Sequence, residues 1–245
     1  MHAVVDSNSG QVPALRQGRW GRKRMDKKGE RQLIDPQPLA RTVRTVLIVY
    51  LVGEALMGLV SLGEIGRLSS GGAEDSGLVA AAGLVALAYL AIYVATAVLT
   101  LKWIYRVNLN AKLLAPDKAT GPGWAVGWYF IPFASLVMPY RAMSETWRIS
   151  LAPTDWRNLA APGLLPWWWG LFLLTNFLSM AGARLGSSME DPGALALGET
   201  LTLASCLTAF PLALVLRKVV SGVTEAQVQA LNLQPAGGAA RLVET

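Results

Sequence analysis

The chain has 245 residues, 53% of them hydrophobic and only 16% charged, with a formal net charge of +6. A soluble domain carries about 25% charged residues, so a water-soluble globular enzyme is a poor fit. The single histidine and single cysteine, His2 and Cys206, exclude a Cys/His metal cluster and an intramolecular disulfide, and nearly exclude a histidine general base.

Residues 1–41 are polar and basic, with Arg16, Arg19, Arg22, Lys23, Arg24, Lys27, Lys28, Arg31 and Arg41 among Gly, Gln and Pro. Without apolar periodicity they read as a disordered tail, and Met25 opens a shorter reading frame. No apolar signal segment precedes the first span, which is expected to direct insertion. That span covers about 45–63 and carries Glu54 at its centre. A second covers about 77–101, inside a 26-residue uncharged run from Ser76 to Leu101. Residues 102–118 turn polar, and the apolar stretch that follows is broken by Pro122, Pro132 and Pro139. Another 26-residue uncharged run, Asn158–Ala183, holds a third span at about 164–183. A fourth fits about 195–216, with Pro211 expected to kink it. The membrane domain is bounded at 42–225, and 226–245 reads as a second tail. A hydrocarbon core of about 30 Å needs roughly 20 apolar residues at about 1.5 Å each, and all four segments are near that length.

Lys and Arg counts decide whether the Pro-broken stretch also crosses, because cytoplasmic loops hold the excess. With four spans, twenty basic residues lie on one side and only Arg67 and Arg184 on the other. A fifth crossing would give fifteen and seven. The expectation is an all-α, four-helix integral membrane bundle of a bacterial inner membrane, multi-pass, with both termini cytoplasmic. Residues 122–140 form a re-entrant or interfacial hairpin, and 140–151 an amphipathic interfacial helix. Eight of the nine tryptophans fall on or near the cytoplasmic interface, where indoles favour the headgroup zone.

The most specific residues are central. Trp103-Ile104-Tyr105-Arg106 is followed by Asn108 and Asn110; then comes Gly121-Pro122-Gly123-Trp124-Ala125-Val126-Gly127-Trp128 and Pro132; Pro139-Tyr140-Arg141 and Trp147-Arg148 close the run. This pattern resembles an uncharacterised family of bacterial membrane proteins, a domain of unknown function, over roughly residues 45–225. One departure is Ser135, where members often carry Asn. The resemblance implies a fold but brings no activity, cofactor or catalytic residue.

Two sets of candidate residues follow. On the cytoplasmic side are Trp103, Tyr105, Arg106, Asn110, Trp124, Trp128, Pro132, Tyr140, Arg141, Glu145, Trp147 and Arg148. Arg106, Asn110, Arg141 and Arg148 could present donors to a lipid phosphate or a partner carboxylate; the competing expectation is that Arg106 pairs with Glu145 to pin the hairpin. Inside the membrane, Glu54, Tyr89, Tyr93, Asn176 and Ser205 bring polar groups from all four spans to similar depth. An ionisable group there points to function, whereas the structural alternative is interhelical hydrogen bonding.

No nucleophile–base set, phosphate loop or dinucleotide fingerprint appears. The sequence therefore favours a non-enzymatic lipid- or partner-binding or scaffold protein. Its partners would be membrane lipids, including anionic headgroups, and a protein or second copy, with no nucleic acid, metal or cofactor. A small transporter or channel subunit built around Glu54 is the second reading, and a lipid-modifying enzyme the third.

Overall fold

The computed structural model describes residues 33–73, 75–187 and 191–232; the tail expectations for residues 1–32 and 233–245 lie outside them. Among the described residues six α-helices follow in order: α1 Gln37–Ser70, α2 Ser76–Leu114, α3 Pro122–Gly127, α4 Met138–Leu151, α5 Leu164–Gly186 and α6 Pro192–Asn232. Two 3-10 turns, Trp128–Phe130 and Ala134–Leu136, lie between α3 and α4. Helices α1, α2, α5 and α6 are long and apolar enough to cross a membrane, as the sequence predicts.

Local chemistry sets the ends. A proline opens α1, where the first turn needs no backbone donor. Gly71 closes it with φ 65°, and the Gly72 N–H reaches back to the Arg67 carbonyl at 3.0 Å. Asp75 caps α2 by accepting from the Gly77 and Leu78 amides at 2.7 and 3.2 Å. Pro211 lies inside α6, which continues through it.

The spans pack in the spatial order α2–α1–α6–α5. The α5–α6 contact is the most intimate: a Cβ added at Gly198 would lie 2.6 Å from the Gly186 nitrogen and 3.0 Å from the Gly182 carbonyl oxygen. Small residues allow this backbone-to-backbone approach where hydrocarbon gives no hydrophobic drive between helices. No substantial contact joins α2 to α5. The half of α2 nearer Ser76 is exposed through Leu78, Val79, Leu84, Leu87 and Leu90. Its apolar surface faces the bilayer.

Two helices run far past their expected spans. At about 1.5 Å per residue, the 39 residues of α2 reach about 58 Å, and α6 is longer still. Charged residues such as Lys102 and Lys218 end the hydropathy signal but not the helix. The extensions pack against α4 at the end of the bundle that carries the hairpin. Trp103, Val107, Met143, Trp147, Val219, Val220 and Val223 form a buried core there. Two boundaries shift accordingly. Leu33 is buried and α1 begins at Gln37, before the expected tail end at 41. Ala226 and Gln227 are buried in α6, inside the segment expected to be a tail. Helix α4 is more enclosed than a helix lying on lipid, with buried residues from Pro139 to Ser150.

Between α3 and α4 the backbone is broken, as its prolines require. Phe130, Phe133, Leu136 and Val137 project outward, and Phe133 holds a positive φ of 61°, a region costly for a residue with a Cβ. The Trp169 indole N–H donates to the Leu136 carbonyl at 2.8 Å and ties this hairpin to α5.

Candidate functional site

The gap between α2 and α5 is a cavity of about 590 Å³, within the usual range for a ligand site. Helix α1 contributes Leu47, Tyr50 and Glu54, and α2 contributes Tyr89, Tyr93, Thr96 and Thr100. Trp168, Phe172, Thr175, Asn176 and Ser179 come from α5, and Ser205, Leu212 and Leu216 from α6. Tyr129 and Phe130 of the hairpin close one end.

Glu54 is 3% exposed and accepts a hydrogen bond from the Tyr89 hydroxyl at 2.8 Å. Tyr50, Tyr89 and Tyr93 form a triangle of rings with centroids 6.2–6.4 Å apart. That spacing packs the rings against each other. Cys206 lies beside Glu54, and its Cβ would sit 3.6 Å from one added at Gly58. The Thr175 hydroxyl donates to Thr208 at 3.0 Å across the α5–α6 seam. Ser205 is buried and donates to the Thr202 carbonyl at 2.8 Å. Asn176 is exposed and donates to the Phe172 carbonyl of its own helix at 2.8 Å. Thus all five intramembrane candidates line one cavity, which is open along its side rather than enclosed. Tyr50, one helical turn before Glu54, belongs to the set and was missed; its i, i+4 spacing from Glu54 was the available signal.

The hairpin-end candidates are dispersed. Asn110 is fully buried and internally satisfied: its Oδ1 accepts from the Ile34 amide at 3.1 Å, and its Nδ2 donates to the Ile34 carbonyl at 2.7 Å and to Gln227 Oε1 at 3.0 Å. Trp103 is buried and donates to Thr224 Oγ1 at 3.3 Å. Trp147 is buried against Gly222. Trp124 and Trp128 stack at 4.6 Å between centroids, with Trp124 exposed. Tyr105, Pro132 and Arg141 are exposed, and Tyr140 is half-buried. Arg148 lies over the Trp156 ring at 5.5 Å, a ring it shares with Arg157.

The expected Arg106–Glu145 pair does not form. Arg106 points to the Asp35 carbonyl at 3.5 Å, and Glu145 pairs with Lys118 at 3.3 Å. Lys118 folds back from the α2–α3 loop and is buried. Its Nζ also donates to Asn108 Oδ1 at 3.0 Å and to the Thr120 carbonyl at 2.8 Å. Thr146 donates to the same Asn108 oxygen at 2.7 Å. Burial outweighs the attraction of Glu145 and pulls the Lys118 ammonium down to about 8. This network is a buried pin for the hairpin, not a donor set facing a ligand. Among the described residues no group of His, Cys, Asp and Glu is arranged to hold a metal ion.

Four apolar spans, a docked hairpin and a side-opening, mostly apolar cavity define an α-helical, multi-pass membrane protein. The chain belongs to a family described as a domain of unknown function, DUF4328, which matches residues 68–225. The match starts later than the expected residue 45, so most of α1, including Glu54, precedes it. No curated protein and no solved structure matches the chain.

Proposed function

We propose that this chain is a non-enzymatic lipid-binding protein of a bacterial inner membrane, with both termini cytoplasmic, whose cavity between α2 and α5 takes the acyl chain of a cytoplasmic-leaflet lipid. The side opening of the cavity carries this reading, because a gap between membrane-spanning helices is filled by what surrounds it. Its dimensions agree. Along α5 it runs from Trp168 to Ser179, about 16 Å at about 1.5 Å per residue, close to the half-thickness of a hydrocarbon core of about 30 Å. Tyr89, Thr96, Thr175 and Ser205 spend their hydroxyls on partners within the protein, and most of the lining is ring faces and aliphatic surface.

Ala97 and Thr100 line the cavity without being part of the buried core. Ala97→Trp or Thr100→Trp should fill it. Lipid retained through detergent exchange, counted by native mass spectrometry, should fall by one molecule per chain. Unchanged retention in both variants would overturn the reading.

A second reading, transport of a proton or small ion through Glu54, is favoured by one observation: a buried carboxyl faces a cavity at mid-span. Proteoliposome flux that is present in wild type and lost in Glu54→Gln would establish it. Absence of flux in wild type would end it.

A further inference from the structure

On the other flank of the α1–α6 pair lies a second groove, of about 300 Å³, where α1 begins and α6 ends. It differs chemically from the cavity. Arg41 and Arg44 rise from the first turns of α1, and Ser221, Glu225 and Gln229 from the last turns of α6. Arg44 Nη1 donates to Ser221 Oγ at 3.0 Å, and Arg41 Nη2 to Gln37 Oε1 at 3.2 Å. Each guanidinium keeps most of its five donors available. Among the described residues Glu225 has no ion-pair partner, although two guanidinium groups line the same groove.

Depth is set by the spans. Arg44 stands about 20 residues before Glu64, and that length at about 1.5 Å per residue crosses a core of about 30 Å. Arg44 and Ser221 therefore lie where hydrocarbon gives way to headgroups. Glu225 lies one helical turn further out, about 6 Å. The groove thus offers one cationic fork at phosphate depth, Arg44, with a second fork, Arg41, and a carboxylate about one helical turn further out.

A purely anionic headgroup would satisfy the arginines but meet Glu225 with like charge. A headgroup with a phosphate and a primary ammonium satisfies both, the phosphate bridging Arg41, Arg44 and Ser221 and the ammonium donating to Glu225 and Gln229. A quaternary ammonium cannot donate those hydrogen bonds. We infer that the groove formed by Arg41, Arg44, Ser221 and Glu225 is a binding site for the phosphoethanolamine headgroup of a membrane lipid. The inference rests on the membrane reading but not on the acyl-chain cavity.

The test is competition between lipids of identical chains in detergent-solubilised protein, read by native mass spectrometry. It is run on wild type and in the Thr100→Trp background, where the groove is read with the cavity filled. Phosphatidylethanolamine should be retained several-fold over phosphatidylglycerol and phosphatidylcholine. Glu225 is exposed, so Glu225→Gln should fold normally and bring retention of the ethanolamine and glycerol lipids to parity. Arg41→Gln with Arg44→Gln should lower retention of all three about tenfold. Equal retention of the three lipids in both wild type and Thr100→Trp, or a preference that survives Glu225→Gln, would overturn the assignment. Soluble O-phosphoethanolamine and inorganic phosphate are the remaining arms. Both should compete weakly; competition by either at the concentration effective for the lipid would show that the groove reads a soluble phosphate compound, overturning the membrane source.

Discussion

Replacing Asn110 by Ala perturbs a single buried amide that joins three parts of the chain. It removes the acceptor for the Ile34 amide and the donor for both the Ile34 carbonyl and Gln227 Oε1. Gln227 is 1% exposed and keeps only its own amide's bonds to the Val107 carbonyl and Ser150. Stranding its oxygen should cost about 1–3 kcal/mol. Ile34 is only partly buried, so water can replace much of what its two groups lose, and each adds about 0.5 kcal/mol. The sum is about 2–4 kcal/mol. For a domain of about 200 residues that is a fall of roughly 5–15 °C in Tm. The buried thiol of Cys206 makes the assay direct, since a thiol-reactive fluorophore reports its exposure on heating. Hydrogen exchange at Ile34 should accelerate in parallel. A Tm within about 2 °C of wild type, with exchange unchanged, would refute the claim that Asn110 clamps the start of α1 to α2 and α6.

Other consequences are equally specific. A Cβ at Gly222 would lie 2.6 Å from Trp147 Cζ2, so Gly222→Ala should destabilise by about 1–3 kcal/mol, seen as a lower Tm with α4 protease-sensitive. Tyr89→Phe removes the donor to Glu54 and should cost about 1–3 kcal/mol; a double-mutant cycle with Glu54→Gln should show coupling. Lys118 holds its proton less tightly folded than unfolded, so the unfolded state binds more protons between about pH 8 and the ordinary lysine value of 10.5. Stability should therefore rise with pH across that window, by up to about 3 kcal/mol at about 1.4 kcal/mol per unit, while Lys118→Met should flatten the rise in equilibrium unfolding. Phe133 is exposed, so Phe133→Gly should relieve the positive φ by about 1 kcal/mol, read as a higher Tm.

The four spans were legible because uncharged runs of membrane-spanning length leave little else for a chain to do. The helix ends were not, because hydropathy measures transfer to lipid rather than helicity. Charged residues at Lys102 and Lys218 stop the first and leave the second intact, so α2 and α6 continue into a core at the hairpin end. Gln227 illustrates the loss: placed in a tail by charge and composition, it is buried and bonded to Asn110. Pairing of Glu145 failed for another reason. Helical spacing ranks partners on a helix, but Lys118 reaches Glu145 from a loop whose path depends on burying Asn108 and Thr146. The intramembrane set fared better. Polar residues at matching depth on four helices converge on one space, although one-dimensional spacing says nothing about which pair of helices stays apart. That separation, between α2 and α5, makes the cavity.

The most direct measurement of the central proposal is photo-crosslinking with a phospholipid carrying a diazirine midway along one acyl chain. The lipid is incorporated before purification, and loosely held lipid is removed by detergent exchange before illumination. Adducts are expected on cavity residues, chiefly Tyr93, Thr96, Phe172 and Ser179, and should be lost in Thr100→Trp. Adducts confined to outward-facing residues such as Leu62, Leu84 and Phe177, or an unchanged pattern in Thr100→Trp, would contradict it.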